Sequence, residues 1–204
     1  MAYLEGKNLV ASYGVVPILH ECSVEVEKGE LAVIVGPNGA GKSTVMRVLL
    51  GMLEATSGSV MFDGKDISML STQDRIKHGL AFVPQTKNVF PSMTVEENLQ
   101  MGGFIRQDDI NQTIEEVYAL FPILYEKRKQ LAEQLSGGQR QQVAFGRAMM
   151  TKPSIMLLDE PTAGVSPIVM DEIFSNILDV KNAGMAVLMV EQNAQQALNI
   201  ADKG

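Results

Sequence analysis

ELAVIVGPNGAGKSTVMRVLLGML, residues 30–53, sets an apolar run of strand type against a glycine-rich turn and then a helical pattern. Within it GPNGAGKST, Gly36–Thr44, satisfies G-x-x-x-x-G-K-[ST] in full. Glycines at 36, 39 and 41 let backbone N–H groups approach phosphate oxygens, and a following helix presents its positive N-terminal end to them. Lys42 adds a point charge suited to the β- and γ-phosphates, and the Ser43 hydroxyl suits Mg²⁺. Asn38, Ala40 and Thr44 complete the loop. A strand, a phosphate loop and a helix in this order predict a unit of a parallel α/β sheet.

Upstream and just downstream, short β-like runs dominate from Tyr3 to Met61: SVEVE (23–27) alternates with period two, and GSVMF (58–62) is closed by the turn pair Asp63-Gly64. Lys42 to Leu53 carries apolar residues at 45, 46, 48, 49, 50, 52 and 53, too many for one stripe, which predicts a helix buried against sheet. Ser71 with Asp74 predicts a helix start and Gly79 its stop, ahead of the strand LAFVPQ, which ends at Gln85.

Between Gln85 and Met150 the pattern turns helical. Thr94 and Glu97 form a capping box, Gly102-Gly103 ends that helix, and INQTIEEVYALF (110–121) predicts another. SIMLLDE (154–160) then predicts a buried strand. Ser166-Pro167 starts a helix to about Asn182, Gly184 stops it, and MAVLMV (185–190) is a further strand. No internal repeat, low-complexity tract or sustained heptad interrupts this order.

Four apolar residues in SIMLLDE place Asp159 and Glu160 at the carboxyl end of a strand, where α/β sheets hold their ligands. Asp159 suits a Mg²⁺ shell, and Glu160 suits orientation or deprotonation of a water attacking the γ-phosphorus. The bland alternative, an acidic strand-end turn, loses weight behind an intact phosphate loop. Gln85 reads equally as a metal or water ligand and as a buried amide, and Tyr13 equally as an adenine platform and as an edge-strand aromatic. His20 and His78 are isolated and read as structural. The charge run YEKRKQ (125–130) reads as a solvated helix face. LSGGQRQQ (135–142) is a second glycine-rich loop running into a helix, the chemistry of another anion site, although one nucleotide needs one cradle.

With 46% hydrophobic and 20% charged residues in 204, the chain can bury a substantial core. A net charge of −7 disfavours nucleic acid as a partner. One cysteine, Cys22, excludes an intrachain disulfide, fits a reducing compartment and reads as a small buried hydrophobe. The apolar runs are far shorter than the roughly 20 residues of a membrane span, and the N-terminus lacks a signal pattern, so a soluble chain is expected. Thirteen methionines read as adaptable core filling, with a docking surface as the sharper alternative.

Taken in order, the phosphate loop, Gln85, LSGGQ at 135–139 and IMLLDE at 155–160 resemble the ATP-binding cassette family over essentially the whole chain. The resemblance implies a RecA-like P-loop NTPase core with an antiparallel β region and a helical subdomain: residues 1–85 and 151–204 as core and β region, 86–150 as helical subdomain. It implies ATP as substrate with Mg²⁺, with Gln85 beside Ser43 and Asp159 as metal residues and Tyr13 as an adenine platform. It further implies head-to-tail pairing of two cassettes, so that Ser136, Gly137, Gly138 and Gln139 cover the γ-phosphate of the partner, and permease subunits at the cytoplasmic face of the cell membrane. RIKHGLAFVPQ, VFPSMTVEENL and LMVEQNA look like ATPase subunits of branched-chain amino-acid uptake transporters.

Gln192 stands where the family usually has a histidine touching the γ-phosphate, and is the expected third catalytic residue beside Lys42 and Glu160. Val165 and Ser166 stand where it usually has Leu-Asp. Because the family usually continues past a motif like IADKG, a C-terminally truncated single domain is expected. A nucleic-acid ATPase on the same cassette would need a coiled-coil insertion, zinc cysteines or tandem cassettes, and a metabolite kinase would have no use for LSGGQ. A soluble scaffold ATPase of Fe–S assembly is the remaining alternative.

Overall fold

The structure, a computed structural model, describes residues 2–204. Two four-stranded sheets organise it. The first is antiparallel: β1 (Leu4–Tyr13) pairs with β2 (Val16–Val26) and with β4 (Ser57–Phe62), and β4 pairs with β5 (Lys65–Asp66). The second is parallel, in the order β3 (Leu31–Val35), β8 (Ala186–Glu191), β7 (Ile155–Asp159), β6 (Leu80–Val83). The last strand of the chain therefore lies in the middle of its sheet, between the strand that enters the phosphate loop and the strand that ends in Asp159.

Both faces of the parallel sheet are covered, which is why its strands are continuous apolar runs. Side chains alternate between faces along each strand. Ile155, Leu157, Ala186, Leu188 and Val190 join one core with the antiparallel sheet and Val45, Met46, Val48 and Leu49 of α1 (Lys42–Leu49). Met156, Leu158, Val187 and Met189 join the other, built against α3 (Val95–Gly102), α4 (Asn111–Leu120), α5 (Pro122–Glu126), α6 (Gly137–Met149) and α7 (Pro167–Asn182). α2 (Thr72–Lys77) precedes β6, and α8 (Ala194–Ile200) follows β8.

Local rules placed most boundaries. Ser71 accepts from the Asp74 N–H, and Thr94 with Glu97 closes a capping box. Gly79 and Gly184 take φ of +110° and +95° at the predicted stops. Four details differ from expectation. α1 ends at Leu49 rather than Leu53, because Gly51 at φ +71° turns the chain away and leaves Met52 exposed. Ser166 starts α7 without a side-chain cap. Cys22 is half-buried rather than buried. YEKRKQ is not a helix face: α5 stops at Glu126, and the carbonyls of Arg128 and Gln130 accept the N–H groups of Glu96 and Val95 at the start of α3. Of the methionines, 46, 150, 156 and 189 are fully buried core, while 52, 69 and 101 are exposed.

Candidate functional site

The carboxyl ends of the parallel strands converge on one rim, the ligand side of an open α/β sheet. β3 runs into the Gly36–Thr44 loop, and α1 begins behind Gly41, which sits at φ +90°. A Cβ there would lie 3.1 Å from the Leu19 side chain in addition to the left-handed strain. α1 has no side-chain N-cap and no acid in its first turn, so its leading N–H groups face an incoming anion.

Lys42 is buried and donates to the carbonyls of Gly36 (2.9 Å) and Pro37 (3.1 Å), folding the loop around its ammonium. Its Nζ also lies 3.2 Å from Glu160 Oε1. Glu160 adopts φ +44°, a left-handed conformation uncommon outside glycine, and its N–H donates to the Val190 carbonyl at 3.0 Å. Gln85 Nε2 donates to Glu160 Oε2 at 3.0 Å, and Ser43 Oγ donates to Asp159 Oδ1 at 2.8 Å. A cleft of about 470 Å³ is lined by Asn38, Gly39, Gly41, Lys42, Ser43, Thr44, Gln85, Glu160 and, on its outer rim, Tyr13. The Tyr13 hydroxyl accepts a 3.0 Å bond from Arg47 of α1, which holds the ring beside the cleft. Gly36 and Ala40 belong to the backbone of the same loop, with the Ala40 N–H turned onto the Pro37 carbonyl.

The donor set fits Mg²⁺. Hydroxyl, carboxylate and amide oxygens are hard ligands, and no cluster of three His, Cys, Asp or Glu among the described residues offers an all-protein cage. Magnesium typically takes one or two protein ligands and completes its shell with water and phosphate.

Ser136–Gln139 line no part of that cleft among the described residues. They start α6 elsewhere: Ser136 Oγ accepts from the Gln139 N–H, and Gln139 Oε1 accepts from the Ser136 N–H, a closed capping box with no acid in the first turn. Gly138 packs against α7, where a Cβ would come within 2.3 Å of the Glu172 carboxylate.

Gln192 is exposed and lines a second, adjoining cleft of about 260 Å³ with Val165, Gly164 and Glu160, so that Glu160 is the common wall of the two. Its side chain makes no cap to α8. Nor does Asn193, whose amide donates to Gln196 Oε1 at 2.7 Å.

A strand-ended phosphate loop, its two acids and a detached LSGGQ helix are the parts of one family, and the ABC transporter family matches residues 19–163. The chain belongs to the ABC transporter family. As an ABC ATPase it hydrolyses ATP, and no helix among its described residues is long and apolar enough to cross a membrane. It is 45% identical over 94% of its length to the high-affinity branched-chain amino acid transport ATP-binding protein BraG of Pseudomonas aeruginosa, covering 82% of that protein. It is 38% identical over 96% of its length to the probable branched-chain amino acid transport ATP-binding protein LivF of Archaeoglobus fulgidus (84% covered). It is also 34% identical over its full length to the lipopolysaccharide export ATP-binding protein LptB of Haemophilus influenzae (86% covered). Among solved structures, the ADP conformation of an ATP-binding cassette of an ABC transporter superposes with a TM-score of 0.91 at 32% identity, over 99% of this chain and 85% of that one.

Two polar residues at the site escaped the sequence reading. Glu191, 2% exposed, accepts from both the N–H (3.0 Å) and the hydroxyl (2.7 Å) of Thr162, and Arg47 anchors Tyr13. For Glu191 a signal was present: an acid closes the apolar run MAVLMV as Asp159 closes IMLL.

Proposed function

We propose that this ABC ATPase is the nucleotide-binding subunit of a membrane transporter for uptake of branched-chain or other hydrophobic amino acids. Two cassettes pair head to tail at the cytoplasmic face of the membrane. The observation that carries the pairing is the separation of the two anion sites: the α1 cradle and the α6 N-terminus do not share a cleft within one chain. The similarity to the BraG and LivF proteins supports the substrate class.

In this reading Lys42 and the loop N–H groups hold the β- and γ-phosphates of ATP, and Tyr13 stacks on its adenine. Ser43, Asp159 and Gln85 hold Mg²⁺, which supplies charge neutralisation of the phosphates when bound. Glu160 orients and deprotonates the attacking water, and Gln192 contacts the γ-phosphate as a neutral amide, able to donate and accept but not to become a cation. Ser136, Gly137, Gly138 and Gln139 of the paired cassette close the site. Closure on two ATP drives the permease, and hydrolysis resets it.

The permease engages the groove of about 350 Å³ between the parallel sheet and the helices, lined by Met52, Phe82, Lys87, Met101, Ile105 and Arg147. Arg147 stacks 4.3 Å from the Phe90 ring and has no carboxylate partner among the described residues, so the groove suits an apolar segment that brings an acid.

The test is uptake of radiolabelled leucine, isoleucine and valine in cells lacking the gene. Loss of uptake restored by the parent and not by Lys42→Ala is expected. Unchanged uptake, or instead a defect in lipopolysaccharide export, would refute the substrate assignment.

A further inference from the structure

Glu191 is a buried carboxylate with no role in the reading above. It ends β8, next to Val35 of β3 at the entrance of the phosphate loop. Its two oxygens divide between two loops. Oε1 accepts the N–H and the hydroxyl of Thr162, two residues past Glu160, at 3.0 and 2.7 Å. Oε2 accepts the N–H of Gln192 at 3.1 Å. One carboxylate thus ties the turn that follows Glu160 to the residue that lines the second cleft together with Glu160.

Glu160 needs such a tie. Its φ of +44° is unfavourable for a side-chain-bearing residue and persists only where the surroundings over-determine it. One constraint is the bond from its N–H to the Val190 carbonyl, immediately before Glu191. The second is the Thr162 clamp on the far side of Pro161, itself buried. With both in place the Glu160-Pro161-Thr162 turn is pinned at each end to the last two residues of β8. The Thr162 bonds are made to a carboxylate that is nine-tenths or more buried, so that end of the turn does not exchange readily with water.

We propose that Glu191 and Thr162 form a latch that positions Glu160 and Gln192 together, setting the rate of ATP hydrolysis without contributing to ATP binding. The proposal rests on the catalytic role assigned to Glu160. An amide at 191 accepts only through its oxygen and turns an NH₂ group toward the donors of one of the two loops, so Glu191→Gln weakens the hold on one loop whichever way it faces. Thr162→Val keeps the shape and removes the hydroxyl bond alone, and Thr162→Ser keeps the bond. Since misplacement of a reacting group by about 1 Å costs up to about 10²-fold in rate, loss of one constraint of two is expected to cost about tenfold.

The experiment measures kcat, KM for ATP, nucleotide affinity and the thermal midpoint of Thr162→Val, Thr162→Ser, Glu191→Gln, the double variant Thr162→Val/Glu191→Gln and Glu160→Gln. Expected for Thr162→Val and Glu191→Gln is a kcat about tenfold lower at unchanged KM and ATP affinity, with Thr162→Ser near the parent. The double variant is expected to be no slower than the worse single, because both break one unit. Parent-like kcat in both singles, a rise in KM in place of a fall in kcat, equal impairment by Ser and Val at 162, or loss of activity only in step with the thermal midpoint would each overturn the latch. Glu160→Gln separates the levels: full turnover there overturns the role of Glu160 and the latch with it. A dead Glu160→Gln beside an unaffected Thr162→Val overturns the latch alone.

Discussion

Replacing Glu160 by glutamine should do two opposite things to the ATPase: tighten ATP binding and stop turnover. The first follows from the Lys42–Glu160 pair. The ammonium and carboxylate lie 3.2 Å apart with side chains only 5% and 12% exposed. At an effective dielectric of about 20 their gross attraction is about 5 kcal/mol, most of which the desolvation of the two charges cancels, leaving about 1–2 kcal/mol. ATP must draw Lys42 toward its phosphates against that residue, and it must also bring negative charge up to a carboxylate. A neutral amide removes both costs, while Lys42 keeps its carbonyl partners at Gly36 and Pro37 and so stays aimed into the loop. The expected gain is about 1.4 kcal/mol, or about tenfold in Kd.

Turnover should fall by about 10²- to 10⁴-fold, the usual contribution of a positioned base. Lys42→Ala separates the effects from the other side: it strips the cradle of its cation, leaves Glu160 with the Gln85 amide as its remaining partner, and should abolish binding. Titration of a fluorescent ATP analogue with Mg²⁺, at protein concentrations where the chain stays monomeric, reads the affinities, and phosphate release reads the rate. Equal or weaker ATP affinity in Glu160→Gln would refute the competition for Lys42, and hydrolysis at the parent rate would refute the role of Glu160.

Mixing Lys42→Ala chains with Ser136→Arg chains should restore a fraction of ATPase activity that neither shows alone, since each pair then contains one intact composite site; no recovery would exclude an active homodimer. Gln192→Ala should slow turnover about tenfold with ATP affinity little changed, and Gln192→His should match or exceed the parent, because an amide contributes about 0.5–1.5 kcal/mol where an imidazolium gives about 1.5–3; equal rates for alanine and parent would remove Gln192 from the reaction. The Tyr118 hydroxyl is buried without a hydrogen-bond partner among the described residues, and burial pushes its pKa from 10.0 up to about 12. The unfolded chain therefore releases that proton first, so stability is complete below pH 10 and falls between pH 10 and about 12. Tyr118→Phe should raise stability by about 1 kcal/mol, about 2–4 °C in Tm, and flatten that alkaline loss, as thermal melts across the range would show.

What the sequence disclosed and what it withheld divide by distance along the chain. Ser71–Asp74 and Thr94–Glu97 are bonds between residues three apart, fixed by the geometry of one helical turn, and each forms as its spacing implies. Ser136–Gln139 has the same spacing and closes the same box, but its glycines read as an anion site instead. The phosphate loop is equally local. Its union with Asp159 and Gln85 follows from a rule about strand ends rather than from any spacing. The bonds that were not legible all span folded space. Thr162 to Glu191 crosses 29 positions. Arg75 reaches back 27 and 26 positions to the carbonyls of Val48 and Leu49 and so closes the end of α1 that the helical pattern had extended to Leu53. The carbonyls of Arg128 and Gln130 serve α3, and main-chain acceptors carry no sequence signal, which is why a charge run there resembled a solvated helix.

The difference between the two helix N-termini gives the proposed pairing its energetic logic. α1 offers free N–H groups together with Lys42, a cation seated in the same loop, and can hold a phosphate by itself. α6 offers only what its capping box leaves over. Gln139 spends its side chain on the Ser136 N–H and its own N–H on the Ser136 hydroxyl, while Arg140 donates to the Leu135 carbonyl at 2.9 Å and the Glu172 carboxylate packs against Gly138. An exposed helix N-terminus of that kind is worth about 0.3–1 kcal/mol to an anion in water, far too little to capture free nucleotide. It becomes effective once another surface holds the γ-phosphate against it and water is excluded between them, since the same dipoles act more strongly at low dielectric and the entropy of association has been spent elsewhere. In the proposed pair, a loop this weak would respond to ATP already bound by the other cassette and hardly to ATP in solution. A lysine at Gln139 would break the capping box that holds Ser136 in place, yet its single exposed charge adds too little for the α6 N-terminus to capture free nucleotide. Gln139→Lys should accordingly still bind one ATP per chain while losing ATP-driven dimerisation, which equilibrium dialysis and light scattering would detect; dimerisation intact would mean that the capping box does not shape the contact.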